Sequence, residues 1–341
     1  MKTELIKALR GQTVAEFSTK DVNAHAIAKI YETLGLDESA SASALLYRKN
    51  EVFAIISEVI QEILPKDISN IMGSFAEVKE FERNAEVQFQ IKGAGKKRAR
   101  LTIQKGARGG IYRAARIDNR YLGLDVEVET VGMFVTLEDI LLGTISLADL
   151  YQNILQGFEE RIYQGIVAAL RTAKTLAPGS HVFSGSGLDL DDLDAAIRVA
   201  NAYGDNVVII GFRSMLGGLS NMSTVSGSTP NVAIDDVNDI RATGRVRLYK
   251  GTPVLELPNY ILQDGATASW TFKESDLFVL PGDAKPVKVA MKGQLVMEEA
   301  SHPSGSKVWN AHKMIGVGLL LADNVCVVTD SAAEALDDGS Y

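Results

Sequence analysis

One cysteine, Cys326, stands in 341 residues, so no intrachain disulfide framework can form. Its setting, Val325-Cys326-Val327-Val328, reads as a small buried hydrophobe with no redox role. No run of eighteen apolar residues occurs, which removes any expectation of a transmembrane helix or a membrane partner. Met1-Lys2-Thr3-Glu4-Leu5-Ile6 lacks the apolar core of a signal peptide, and synthesis inside a cell is expected. Only four histidines are present (His25, His181, His302, His312), no two of them at metal-ligand spacing. Aromatics are scarce, and Trp270 and Trp309 read as packing residues.

The remaining chemical motifs fail one by one. Gly93-Ala94-Gly95-Lys96-Lys97 has Gln90 and Lys97 where a phosphate loop needs glycine and a hydroxyl residue, and it joins strand to strand. Asp189-Leu190-Asp191-Asp192-Leu193-Asp194 puts Asp194 where a calcium loop needs glycine and Ala200 where it needs glutamate. Those acids read instead as the cap and first turn of a helix. No nucleophile elbow or dinucleotide fingerprint occurs, and Ser184-Gly185-Ser186-Gly187 is a turn. The sequence offers no active site, metal or cofactor, and no enzymatic activity is expected.

What the chain does have is an uneven charge. Between Lys92 and Arg120 stand ten bases (Lys92, Lys96, Lys97, Arg98, Arg100, Lys105, Arg108, Arg113, Arg116, Arg120) and one acid, Asp118. That window carries +9 in a chain of net charge −8, which leaves −17 on the other 312 residues. Nucleic-acid binding is one reading, but only Phe89, Tyr112 and Tyr121 lie near enough to stack on bases. A solvated face is another. The third is an arm laid on the acidic body of a second copy, since two opposite patches on one molecule favour head-to-tail association into rings or shells.

The longest element runs from Ser146 to about Leu176. Leu147, Leu150, Tyr151, Ile154, Leu155, Phe158, Ile162, Tyr163, Ile166, Val167 and Leu170 recur at the steps of one helical stripe. Ser146 and Asp149 open it, and Pro178-Gly179 end it. A helix of this length spans about 46 Å. Gly157 and Gly165 inside it each cost up to about 1 kcal/mol, which the buried stripe outweighs. The stripe is expected to face a sheet built from about Leu124–Val135 and the C-terminal strands. Gln152, Asn153, Glu159, Glu160 and Gln164 are expected on the opposite side.

Before it, short helices over 1–40 lead past Ser39–Ala44 to an amphipathic helix (Val52, Phe53, Ile56, Val59, Ile60, Ile63) stopped by Pro65. From Ala85 the period changes to two, and a hairpin is predicted between 85–92 and 100–104. After the long helix come a short helix (Leu193 to Ala200), a buried strand Val207–Gly211 and an exposed loop Ser220–Pro230. Then follow Val246–Tyr249, a turn at Lys250–Pro253, and Val254–Pro258. Strands are predicted at Leu277–Leu280, Val287–Met291 and Gln294–Met297. A final pair, Lys313–Leu321 and Val325–Thr329, is joined by a turn at Ala322–Asn324.

In this order the chain resembles a tailed-bacteriophage major capsid protein of the Hong Kong-97 type. Phe134-Val135-Thr136-Leu137-Glu138-Asp139-Ile140-Leu141 resembles the family's approach to its spine helix. Thr243-Gly244-Arg245-Val246-Arg247-Leu248-Tyr249-Lys250-Gly251-Thr252-Pro253-Val254 is similar to a pattern of its axial domain. Leu277-Phe278-Val279-Leu280-Pro281 and Val287-Lys288-Val289-Ala290 continue the likeness, which covers about 40–330.

The resemblance implies an α+β fold: an N-terminal arm (1–83), an extended β-hairpin loop (84–122), a peripheral domain with the spine helix (123–180 and 306–330), an α/β axial domain (181–305) and a tail (331–341). It implies self-assembly through pentamers and hexamers into an icosahedral shell around double-stranded genomic DNA, bound without sequence specificity. The location implied is the virion, with the host cytoplasm during assembly. Implied partners are further copies of the chain, a portal, a decoration protein and a separate scaffolding protein or none, since no long helical prosegment precedes the arm. Some members crosslink through a loop lysine, but Lys92, Lys96, Lys97 and Lys105 are equally placed and none is singled out. An encapsulin shell around cargo protein and a non-capsid nucleic-acid-binding protein are the alternatives.

Overall fold

The computed structural model describes residues 48–91, 120–133, 147–217, 247–259, 261–264, 267–270, 274–301 and 307–332, with single positions among 28–35 and at 272. Its first long element, α1 (Lys49–Met72), carries Val52, Ile56, Val59, Ile60, Ile63 and Leu64 on a buried face. The predicted stop at Pro65 is overturned, for the helix continues through it. An interior proline costs about 3 kcal/mol. Leu64, Ile68 and Met72 are fully buried, and at roughly 1.5–3 kcal/mol each their burial exceeds that cost.

Beyond α1, β1 (Ala76–Phe81) runs parallel to β12 (Val287–Ser301). The latter pairs antiparallel with β13 (Lys307–Leu319), and β13 with β4 (Glu127–Met133), giving the order β1-β12-β13-β4. The two strands predicted at 287–291 and 294–297 are one strand. Its register shifts between Lys292 and Val296, where Gly293 takes φ +71°, a conformation that suits glycine at a bulge.

The long helix, α2, spans Leu147–Leu176. Leu150, Ile154, Phe158, Ile162, Ile166 and Leu170 are fully buried, while Gln152 and Asn153 are exposed. As expected, it packs on β4, β12 and β13. Its two glycines have a further use. A Cβ on Gly157 would come within 2.8 Å of Val131, and one on Gly165 within 2.9 Å of Val317. Both glycines therefore bring the helix backbone close against the sheet.

A second sheet shares the core into which the stripe is buried. Its order is β5-β14-β11-β6-β8-β7, from β5 (Val182–Gly185), β6 (Val207–Gly211), β7 (Leu248–Tyr249), β8 (Thr252–Glu256), β11 (Asp276–Pro281) and β14 (Cys326–Asp330). Val208, Ile210, Phe278, Leu280 and Val327 share one core with α1, α2 and the first sheet. Val207, Ile209, Leu277, Val279, Cys326 and Val328 face a second core with α3 (Leu190–Tyr203). Burial on both faces is why these strands read as unbroken apolar runs. Burial also pushes the Cys326 thiol up to about 12. The Asp189 carboxylate accepts the Asp191 amide at 3.0 Å, so the acidic run caps α3 as expected. Lys250 (φ +46°) and Gly251 (φ +80°) form the tight turn between β7 and β8. A small hairpin, β9 (Ile261–Asp264) with β10 (Thr267–Trp270), stands apart.

The predicted C-terminal strand pair is corrected. β13 and β14 lie in different sheets, and a 3₁₀ turn at Ala322–Asn324 carries the chain from one to the other. α2 is further tied to the second sheet by Asp276, a buried carboxylate that accepts the Thr329 hydroxyl at 2.8 Å. The Arg171 and Lys174 side chains stand 3.8 and 3.7 Å from it.

Candidate functional site

Of the ten bases singled out in the sequence, Lys92, Lys96, Lys97, Arg98, Arg100, Lys105, Arg108, Arg113 and Arg116 lie outside the described residues, as does the 100–104 half of the predicted hairpin. Arg120 opens β3 (Arg120–Gly123), which pairs antiparallel with β2 (Gln88–Ile91), Arg120 opposite Ile91. The two ends of the basic segment are thus brought together by this pairing. What can be built residue by residue is the base on which it stands.

That base is a small apolar cluster of Val87, Phe89 and Ala290, with Phe81, Leu124, Val126 and Leu320 packed against it. Phe89 is fully buried. Phe81 presents its ring edge to it at 5.7 Å and 73°. The ammonium groups of Lys79 and Lys288 lie 5.2 and 5.9 Å from the Phe89 ring centroid, within cation–π range. Glu77 takes both amines, Lys79 at 2.5 Å and Lys288 through its other carboxylate oxygen. Three residues of β1 and one of β12 thus converge on a single ring of β2.

Burial pulls the Glu77 carboxyl upward, but the hydrogen bonds and charges of Lys288 and Lys79 outweigh it and hold the group below its ordinary 4.5. Burial holds the Lys288 ammonium below its ordinary value, and Glu77 opposes this only in part. Lys313, fully buried, is likewise lowered by burial; it donates to the Gly293 carbonyl at 2.6 Å and to Glu80 at 3.4 Å.

A carboxyl depressed in the folded chain contributes stability above its unfolded pKa and loses it as pH falls through the folded value. Glu77→Gln has nothing to protonate there. Its stability deficit against wild type is expected to shrink as pH drops below 4.5, measured by urea unfolding across pH. A deficit that stays constant with pH would place the ionised carboxylate outside the account.

From β3 the chain crosses over β13 on its way to β4. A Cβ on Gly316 would lie 2.3 Å from the Asp125 carbonyl oxygen, and one on Gly318 would lie 2.4 Å from Leu124. Only glycine admits the crossing at that distance. Elsewhere on the same sheet an open groove of ≈ 930 Å³ is lined by Glu80, Phe81, Arg83, Lys292, Val296 and His312 among others. His312 links three strands, bonded to Thr130 of β4 at 2.7 Å and Glu298 of β12 at 2.9 Å. This is a structural use, a tie between neighbouring strands of one sheet. Among the described residues no group of His, Cys, Asp and Glu is placed to hold a metal.

The sequence reading gave no role to Glu77, Lys79 or Lys288, and it named Phe89 only as an aromatic near the basic segment. The available signals were Lys288 interrupting an apolar strand and the spacing of Gly316 and Gly318 opposite no turn.

A family model described as "SPbeta prophage-derived putative capsid protein YonB" matches residues 4–329. No curated protein matches. Among solved structures, a chain of the satellite phage P4 procapsid that includes the size determination (Sid) protein is similar at 11% identity and TM-score 0.50, covering 85% of this chain and 98% of that one. The mature capsid of bacteriophage PhiM1 is similar at 14% identity and TM-score 0.45, covering 75% and 85%. A virus-like particle from Pyrococcus furiosus is similar at 12% identity and TM-score 0.44, covering 80% and 98%. With a family match over nearly its whole length and an α+β fold of the Hong Kong-97 type, the chain belongs to the prophage-derived YonB capsid protein family and is a structural capsid protein, not an enzyme.

Proposed function

We propose that copies of this chain assemble through pentamers and hexamers into an icosahedral shell enclosing double-stranded genomic DNA, the basic 92–120 segment of each copy lying across the acidic body of the next. The observation that carries this reading is the charge split, +9 on that segment against −17 on the rest. Opposite patches on one molecule make a heterologous contact, and such contacts close into rings. Pairing of Ile91 with Arg120 supports it, because it joins the two ends of the segment.

Within the subunit we assign the peripheral role to the four-stranded sheet with α1 and α2, and the axial role to the six-stranded sheet with α3. β12 then goes with the first and β14 with the second. Assembly would take place in the host cytoplasm. A separate scaffolding protein, a portal and a decoration protein are the further partners such a shell would take.

The contents of purified particles test the reading. Nuclease-protected double-stranded DNA is the expected result. Particles holding a protein cargo and no nucleic acid would favour the encapsulin alternative. A monomer that binds duplex DNA tightly, with a steep loss of affinity in salt, would favour the nucleic-acid-binding one.

A further inference from the structure

Among the described residues the chain passes between the layer of α2 and the first sheet and that of the second sheet at three places, 177–181, 282–286 and 320–325. The last two are bonded to each other, the Leu320 amide donating to the Pro286 carbonyl at 3.1 Å. They also meet the second sheet at one end. Residues 282–286 follow Pro281, the last of β11, and 320–325 lead into Cys326, which pairs with Val279. At this end the two sheets are joined through the chain itself. Asp276 stands at the other end of β11, five residues from Pro281. Along a strand that is about 17 Å.

Near Asp276 the apolar grip on α2 runs out. Leu170 and Ala173 are its last fully buried residues, and Leu176 is exposed. Arg171 and Lys174 of the same turns reach Asp276, whose side chain is 6% exposed and also accepts the Thr329 hydroxyl. The two cations are 32% and 30% exposed and recover water when the contact breaks. A buried carboxylate deprived of its cations does not, so the contact is held from the Asp276 side.

We propose that Asp276 is a clasp opposite a hinge: it fixes the angle between the two sheets, and through that angle the diameter of the shell. The hinge is the bonded pair of passages, and the clasp is the ionic contact across the other end. A contact far from a hinge line fixes the angle more tightly than one beside it. The part on diameter rests on the shell reading above. In a closed shell of identical copies, a change of angle within the subunit repeats in every copy and alters the curvature. Asp276 is then a positioning residue for assembly.

Asp276→Asn keeps a partner for Thr329 and removes the charge. In the unassembled full chain, amides of 171–176 are expected to exchange about tenfold faster, and those of β12 and β13 less than about twofold faster. Negative-stain microscopy should show its shells in more than one diameter, against one for the unaltered chain. Arg171→Gln with Lys174→Gln changes only partly exposed positions and should act the same way. Arg171→Lys with Lys174→Arg keeps both charges and should keep the single diameter. Exchange at 171–176 that stays unchanged, or rises equally in β12 and β13, would overturn the clasp. Faster exchange with shells of one unaltered diameter would overturn the sizing role, since a merely structural contact lowers stability without moving the diameter. If Asp276→Asn does not fold, the glutamine pair decides by the same readings. Failure of the shell reading shows separately, as an unaltered chain that gives no particles, and leaves the exchange result standing.

Discussion

Replacing Lys96, Lys97, Arg98 and Arg100 with glutamate is expected to abolish shell formation while leaving the subunit folded. The substitution takes the 92–120 segment from +9 to +1 and adds four carboxylates to a surface that would meet an acidic neighbour. Like charges placed across an interface cost several kcal/mol, and the contact repeats at every copy of a closed shell. Folding should be spared, because all four are charged side chains of a strongly basic segment, a residue type that is almost never fully buried without a partner. Sizing chromatography should give subunits or small oligomers in place of particles, and circular dichroism should give the helix content of wild type. Shells of ordinary yield from the variant would show that the basic segment does not carry the contact.

The second large effect is expected at Gly165, where two terms oppose each other. In an isolated helix, Gly165→Leu should help by up to about 1 kcal/mol. In the folded chain the first added carbon would already stand 2.9 Å from the Val317 Cβ. Overpacking costs typically about 1–3 kcal/mol, and the helix can relieve it only by moving off the sheet that buries its stripe. A net loss of about 2 kcal/mol is expected from urea unfolding, with the opposite sign in a peptide of residues 147–176. A more stable folded variant would show that α2 does not need the close approach.

Local patterns carried much of this fold. The stripe of α2 was legible to within one residue at its start, since eleven apolar positions at helical steps leave no competing period. The strand Val207–Gly211, the Asp189 cap and the Lys250-Gly251 turn were equally local. Pro65 misled because its cost is local, whereas the burial of Ile68 and Met72 that overrides it is tertiary, in a core that α1 shares with α2 and both main sheets. Tertiary pairing likewise hid the separation of β13 from β14: a short turn between two apolar runs looks like a hairpin until their sheets are known. Composition alone exposed the basic segment. It did not expose the cluster around Phe89, because Glu77 and Lys288 are ordinary residues that only the parallel pairing of β1 with β12 brings together, and Phe89 meets Lys288 from a strand that pairs with neither.

The most direct test of the account is the assembly state of the full chain. Purified alone and with a scaffolding partner, it should elute from a sizing column as large particles that negative-stain microscopy shows as closed shells of uniform size. A chain that stays monomeric under every assembly condition would contradict the account.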